Sequence, residues 1–98
     1  MNSSIVIALP KIDDAKKIRT ILNRHGFSVA AVCSTASTAL ASMSELDGGI
    51  LICGYKLTDR YYRDVLEDIP SYFEMLLLAS GRVIAEAPTS VLTVEMPM

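Results

Sequence analysis

The sequence predicts a doubly wound α/β domain built on a five-stranded parallel sheet. Short apolar runs, often rich in β-branched residues, alternate along the chain with segments whose apolar residues keep helical spacing. Continuous apolar runs are typical of strands that are buried on both faces of a parallel sheet. Ninety-eight residues suffice for one domain with one core and are too few for two. Alternating strands and helices joined by right-handed crossovers give this architecture.

The first strand and the first helix are predicted within the first 26 residues. Ser4–Leu9 is a continuous apolar run, and Pro10 ends it. Asp13–Asp14 is expected to supply an N-cap and an acidic first turn to a helix over Ile12–His25. Gly26 suits the C′ position that follows such a helix.

The second strand and helix follow at once. Phe27–Cys33 alternates more than the first strand does, which predicts an edge strand. Ser34 or Thr35 is expected to cap the next helix. Its apolar stripe keeps the spacing i, i+3, i+4, i+7 and i+10 and consists of Ala36, Ala39, Leu40, Met43 and Leu46.

A third strand and a third helix complete the middle of the chain. Asp47–Gly49 is a turn signal, and Ile50–Cys53 is predicted as the strand. Asp59–Asp68 is predicted as the helix, and Pro70 closes it. The residues expected to face inward are Tyr62, Val65, Leu66 and Ile69.

The last third of the chain predicts two more strands with little between them. Glu74–Ala79 is predicted as strand four, with a buried helix as the alternative that periodicity leaves open. The connection Gly81–Pro88 is too brief for a long crossover helix, and Val91–Val94 is predicted as strand five. The flavodoxin-like strand order 2-1-3-4-5 suits these five strands.

Composition excludes several classes of function. A net charge of −2 and a pI near 5.2 argue against an electrostatic binder of nucleic acid. No apolar run is long enough to span a membrane and the amino terminus has no signal-peptide pattern, so a cytoplasmic protein with no membrane contact is expected. Cys33 and Cys53 have neither metal-ligand nor disulfide-framework spacing and are expected to be buried apolar residues. No nucleophile-elbow, phosphate-loop, dinucleotide or paired-carboxylate motif supports an enzyme.

The run Gly49–Cys53, followed by Gly54 and the loop to Asp59, resembles the third strand and following loop of a response-regulator receiver (CheY-like) domain. In that family the strand ends in the phosphoacceptor Asp, where this chain has Gly54. The two acids that hold Mg²⁺ in the family align with Leu9 and Pro10. Glycine cannot form an aspartyl phosphate, and neither of the other two residues binds a metal.

The resemblance continues to the end of the chain. The Thr or Ser that ends strand four in the family aligns with Ala79–Ser80, and its Lys-Pro pair aligns with Met96–Pro97. The resemblance therefore implies one degenerate pseudo-receiver domain over residues 1–98, with a vacated phosphoacceptor pocket at Leu9, Pro10, Gly54, Ala79 and Met96. It implies no catalysis, no cofactor and no Mg²⁺. Helix five and most of helix four are expected to be missing, so that the domain is incomplete at its C-terminus.

A divergent receiver of this kind is similar to the N-terminal module of antitermination regulators, whose C-terminal RNA-binding domain is of the ANTAR type. The leading hypothesis is therefore a phosphorylation-independent regulatory and oligomerisation module that meets RNA only through an output domain absent from this chain. The second is a small-molecule or anion sensor at the pocket around Gly54, with Lys56, Arg60 and Arg63 as possible anion contacts. The third is a small α/β enzyme subunit or carrier.

Two further expectations concern packing. Tyr55, Tyr61 and Tyr62 either fill the vacated pocket or simply pack the loop. Strands one, three and four are apolar on both faces, yet only the first helix is expected to cover one of these faces and helix five is expected to be missing. This predicts a two-fold homodimer that buries the uncovered strip of sheet. The expected contributors are Ile5, Ile7, Leu76 and Leu78 on one face, or Val6 and Leu77 on the other.

Overall fold

The computed structural model describes residues 4–79 and 92–95 of the chain. The elements in this part are β1 (Ser4–Ala8), α1 (Ile12–Arg24), β2 (Val29–Cys33), α2 (Ala36–Ser44), β3 (Gly49–Gly54), α3 (Tyr62–Asp68), β4 (Phe73–Ala79) and β5 (Leu92–Glu95). The strands pair in parallel in the order β2-β1-β3-β4-β5. The predicted doubly wound sheet, its strand order and the edge position of β2 are confirmed.

Each face of the sheet has its own core. On one face the buried side chains of the sheet pack with α2 and α3, and this set includes Val6, Ala8, Leu51, Cys53, Met75 and Leu77. On the other face they pack with α1, and this set includes Ile5, Ile7, Leu9 and Ile52. Val6 and Leu77 are fully buried. The prediction that they belong to an exposed strip is therefore wrong, because two helices cover their face.

The face beneath α1 is less completely covered. Ile7 is fully buried and Ile5 is nearly so, which removes both from any exposed strip. Ile50, Leu76 and Leu78 pack against the α1 cluster but stay half-buried. Only part of the predicted strip is therefore open to solvent.

The two ends of α1 differ from each other in how they are capped. Lys11 occupies the N-cap position and makes no side-chain cap, so the prediction that Asp13 or Asp14 caps the helix is wrong. Asp13 and Asp14 lie two and three residues after Lys11, in the first turn, where their negative charge interacts favourably with the helix dipole. At the other end Gly26 has φ +84° and donates to the Asn23 carbonyl, and Phe27 donates to that of Leu22. These two bonds form a Schellman motif and confirm Gly26 as the C′ residue.

Several element boundaries shift for physical reasons. β2 begins at Val29 rather than Phe27, since the Phe27 N–H closes the α1 cap. α3 begins at Tyr62 rather than Asp59, because the preceding residues form a tied loop. β4 is a strand, which settles the strand-or-helix alternative, and it begins one residue earlier than predicted. β5 begins and ends one residue later than predicted.

Some predictions lie outside the described residues. These are the connection Gly81–Pro88 with its nearly absent fourth helix, and the aligned positions Ser80, Met96 and Pro97. The expectation of a missing fifth helix stays a prediction. Across the described residues, no helix is long and apolar enough to cross a membrane.

Candidate functional site

The candidate site lies at the carboxyl edge of the sheet, where β1 and β3 end side by side. Ala8 pairs with Cys53, so Leu9 and Gly54 emerge next to each other. Open α/β sheets bind their ligands at this edge. The sheet thus brings together three of the positions that the sequence singled out: Leu9, Pro10 and Gly54.

The space beside Gly54 is occupied by apolar atoms. Gly54 is buried, and a Cβ built on it would lie 3.1 Å from Leu9 Cδ2 and 3.4 Å from Pro10 Cδ. Leu9 is only 4% exposed and belongs to the core beneath α1. The two residues aligned with the family's metal-binding acids therefore close the position where its phosphoacceptor would stand.

The other aligned positions add no polar group that the structure describes. Ala79 ends β4, one residue beyond the pairing of Gly54 with Leu78, and is 5% exposed. Met96 lies outside the described residues. In the described part of the chain, no cluster of three or more His, Cys, Asp or Glu side chains is placed to hold a metal ion.

The two cysteines are free and buried, as the sequence predicts. Burial raises the pKa of Cys53 to about 12 and also raises that of Cys33. A thiol held protonated in this way is a poor nucleophile and a poor metal ligand.

The three tyrosines cluster together rather than over Gly54. Tyr62 is 1% exposed and belongs to the core of α2 and α3. Tyr55 meets the Tyr61 ring edge-on, with 5.4 Å between ring centroids, and lies 6.0 Å from the Tyr62 ring. Apart from the chain neighbours Cys53 and Tyr55, the three atoms nearest the built Cβ of Gly54 belong to Leu9, Pro10 and Ala8. Tyr62 therefore packs in the core, Tyr55 and Tyr61 pack against each other in the loop, and Leu9 and Pro10 lie against the Cβ position of Gly54.

The three cations proposed as anion contacts have separate partners. Arg60 Nη1 lies 2.7 Å from Asp68 Oδ2. Lys56 Nζ lies 5.3 Å from the centroid of the Tyr61 ring. Arg63 lies over the Tyr62 ring and donates from Nε to the Tyr62 hydroxyl at 3.2 Å. None of these contacts involves Leu9, Pro10 or Gly54.

Asp59 has a role that the sequence pattern did not indicate. Its carboxylate accepts from the N–H groups of Ala36 and Ser37 at the start of α2, at 2.7 and 3.3 Å, and from the Ser37 hydroxyl at 3.2 Å. These bonds lower the pKa of Asp59, the bond from Ala36 most strongly. Thr35 caps the same helix by accepting from the Thr38 N–H, as predicted. Asp59 was predicted to start α3 because sequence spacing does not reveal a partner 23 residues away.

A groove lies between α1 and the edge strand β2, away from Gly54. Its volume is about 270 Å³. Ile12, Lys16 and Arg19 line its helix side, and Val29 to Val32 line its strand side. It has no part in the site at Gly54.

No family model and no curated protein sequence matches the chain. Solved structures do match. The anti-anti-sigma factor PhyR from Bartonella quintana superposes with a TM-score of 0.80 at 16% identity, over 99% of this chain and 42% of that one. RcsB of Salmonella typhimurium gives 0.73 at 12% identity, over 97% and 52% of the two chains.

A shorter structure shows which part of these proteins is matched. The REC domain of PhyR from Erythrobacter litoralis gives a TM-score of 0.69 at 14% identity, over 98% of this chain and 79% of that domain. This chain therefore has the receiver-domain fold. It spans less than half the length of the Bartonella PhyR chain.

Proposed function

We propose that this chain is a pseudo-receiver, a regulatory module with the receiver fold that works without phosphorylation. The observation that carries the proposal is the closed site at Gly54, where Leu9 and Pro10 stand in place of oxygen ligands. Phosphoryl transfer needs an acceptor oxygen and a cation that neutralises the developing charge. The described site supplies neither, so the module must act through the surfaces that it presents.

Intact-mass measurement after incubation with acetyl phosphate and Mg²⁺ tests this proposal. We expect no added phosphoryl group on the wild-type chain. We also expect none on Gly54→Asp, because Leu9 and Pro10 still cannot hold Mg²⁺ beside the new carboxylate. A stable phosphoryl adduct on any Asp of the wild-type chain would contradict the proposal.

The alternative function, an anion sensor at Gly54, has less support. Arg60 is paired with Asp68, Lys56 lies over Tyr61, and Leu9 and Pro10 place apolar atoms against the Cβ position of Gly54. We therefore favour the regulatory module. The same arguments favour a non-enzymatic role, together with the absence of catalytic motifs from the sequence.

The output of the module is a separate proposal. We propose that it controls a C-terminal RNA-binding output domain of the ANTAR type and acts in the cytoplasm; its support is the degenerate receiver pattern of the sequence. The structural neighbours are associated with other outputs: PhyR is an anti-anti-sigma factor, and the RcsB structure concerns DNA interaction. Sequencing the reading frame downstream of Met98 decides between these. We expect a coiled coil and a three-helix domain, and a sigma-like or DNA-binding domain there would overturn the ANTAR proposal.

A further inference from the structure

Apolar side chains and two cations line the groove between α1 and the edge strand β2. Ile12, Lys16 and Arg19 share one side of α1, because residues three and four apart lie on the same side of a helix. Val29 and Val32 line the strand side and pack against the core beneath α1. Ile12 is 38% exposed, and both cations are exposed. A ligand in this groove would therefore meet apolar surface and two positive charges.

The strand that lines the groove leaves one edge open. β2 stands at the end of the strand order, and among residues 4–79 and 92–95 only β1 pairs with it. The Cys33 carbonyl accepts from the Leu9 N–H at 3.1 Å and so points toward β1. Because the backbone groups of successive residues point to opposite sides of a strand, the N–H and the C=O of Val32 point to the open edge. An unpaired strand edge can bind the backbone of an extended peptide.

The surface that α1 and β2 form is positive when all of its ionisable residues are counted. Residues 11–33 hold five cations and two acids, which are Lys11, Lys16, Lys17, Arg19 and Arg24, and Asp13 and Asp14. Their net charge is therefore +3 with His25 neutral, whereas the whole chain carries −2. Glu45 and Asp59 lie at the two ends of α2, which packs on the opposite face of the sheet.

The two cations of the groove have no carboxylate partner in the part of the chain that the structure describes. Neither Lys16 nor Arg19 forms an ion pair there, and neither do Asp13 and Asp14 in the first turn of α1. No acidic side chain is among the described residues that line the groove. An incoming carboxylate could therefore pair with either cation without displacing a partner within the chain.

The directions of α1 and β2 set the pattern expected of a bound peptide. α1 returns the chain from the end of β1 to the start of β2, so Ile12 lies toward the end of β2 and Arg19 toward its start. Along the helix axis about 4.5 Å separates Lys16 from Arg19, and about 6 Å separates it from Ile12. On a strand, residues i, i+2 and i+4 share one face at steps of about 6.6 Å. Long Lys and Arg side chains can span the difference.

We propose that the groove between α1 and β2 is the docking surface for an acidic, extended segment of a partner protein. The segment pairs with the open edge of β2 at Val32. Two of its carboxylates, at positions i and i+2, pair with Lys16 and Arg19, and an apolar side chain beside them packs on Ile12. The inference goes beyond the proposed function, since it names a surface through which the module acts and uses no feature of the site at Gly54.

Two other occupants fit the groove less well. A nucleic acid presents no peptide backbone to the strand edge, and a phosphate backbone is bound by more cations than the two that line this groove. A second copy of the chain would bring two positive surfaces together, which like charges oppose. An acidic peptide segment matches the charge, the apolar residues and the strand edge together.

Selection from a random dodecapeptide library displayed on phage tests this inference on the whole chain. We expect enrichment of peptides that carry two acidic residues at i and i+2 beside an apolar residue. Binding of the enriched peptides should weaken by about tenfold or more in Lys16→Glu and in Arg19→Glu. The matched control is Lys17→Glu, which changes the charge equally at an exposed position of α1 that does not line the groove. The control should bind like the wild type.

Four results would overturn the inference: no enrichment over background, enriched peptides without excess acid, acids at the helical spacing i and i+4, or equal loss of binding in Lys17→Glu. A uridine dodecamer that binds the wild-type chain and not Lys16→Glu would overturn it in favour of nucleic acid. All three substituted side chains are exposed, and circular dichroism confirms that each variant is folded. The phosphorylation measurement is independent of these results, so failure here leaves the pseudo-receiver proposal standing.

Discussion

At the scale of single residues, the proposed function depends on Gly54 and on the two residues that contact it, Leu9 and Pro10. In a strand, a residue without a side chain leaves a gap that something else must fill. Here Leu9 Cδ2 and Pro10 Cδ fill it. The residues that replace the metal ligands therefore also pack against the position of the missing acceptor. Restoring the acceptor alone therefore places a carboxylate among apolar atoms.

This arrangement predicts different costs for two substitutions at Gly54. Gly54→Ala should change the free energy of unfolding by less than about 1 kcal/mol, because a small shift of the flexible Leu9 side chain opposes the entropic gain of replacing glycine. Gly54→Asp should cost about 2 to 4 kcal/mol, because it buries a charge without a partner. Urea denaturation of both variants measures the difference. Equal stability of the two would show that the site is open and hydrated.

Asp59 supports a prediction with a pH dependence. Asp59→Ala should cost about 1 kcal/mol at pH 7, the usual value of a helix N-terminal cap. The folded-state pKa of Asp59 is lowered, so its stabilisation is present above the unfolded pKa of about 4 and is lost as the pH falls through the folded pKa. The gap between wild type and variant should therefore shrink between pH 7 and pH 2.

The control for this prediction is Asp47→Ala, since Asp47 is exposed in the turn before β3 and no bond to it is described. Urea denaturation across the pH series gives both comparisons. A gap that stays constant with pH, or a control that loses as much, would show that the carboxylate of Asp59 does not cap α2.

At the scale of elements, two glycines at element ends differ in what they tolerate. Gly26 has φ +84° with no atom within 4 Å of a built Cβ, so Gly26→Ala should cost only about 1 kcal/mol of backbone strain. A Cβ on Gly49 would collide with the backbone of Ser4, where β3 begins beside β1. Gly49→Ala should therefore cost more than about 3 kcal/mol or prevent folding. Thermal unfolding measures both, and similar melting temperatures would contradict the register of β1 on β3.

The elements also show what the sequence could and could not predict. Apolar runs and helical stripes were enough for the order of strands and helices, because burial on both faces of the sheet leaves a strong pattern in residues such as Val6 and Ile7. The hairpin of residues 55–61 was not predicted, because bonds to Ser34 and Ala36 shape it from more than 20 residues away. The site was predicted from what is missing at Leu9, Pro10 and Gly54. Only the structure shows that apolar contacts close this site.

At the scale of the whole molecule, we propose that the module self-associates as a two-fold dimer through the face beneath α1. Ile50, Leu76 and Leu78 are half-buried there. Ile12, Lys16 and Arg19 share the side of α1 that lines the groove toward β2. By helical spacing Ile21 lies on the other side of α1, toward β3. Ile21 is 53% exposed and would extend the apolar strip. A stable interface needs about 800 Å² per partner, and these four side chains are only partly exposed, so we expect a weak, concentration-dependent dimer.

Sedimentation of the purified chain at micromolar concentrations tests the dimer. The average mass should rise with concentration in the wild type and in a Tyr72→Glu control, and much less in Ile21→Glu. A wild-type chain that stays monomeric at every concentration would show that the strip is covered within the chain.

We propose that this receiver fold has lost its phosphorylation centre through the apolar contacts of Leu9 and Pro10 at Gly54. The most direct measurement is a titration of the ¹⁵N-labelled chain with Mg²⁺ and then beryllofluoride, which stands in for the phosphoryl group, followed by NMR of the backbone amides. We predict that the amides of Leu9, Gly54 and Tyr55 keep their positions throughout, because Leu9 and Pro10 offer no side-chain oxygen and lie against the side-chain position of Gly54. A saturable shift of these amides with Mg²⁺ or beryllofluoride would contradict the account.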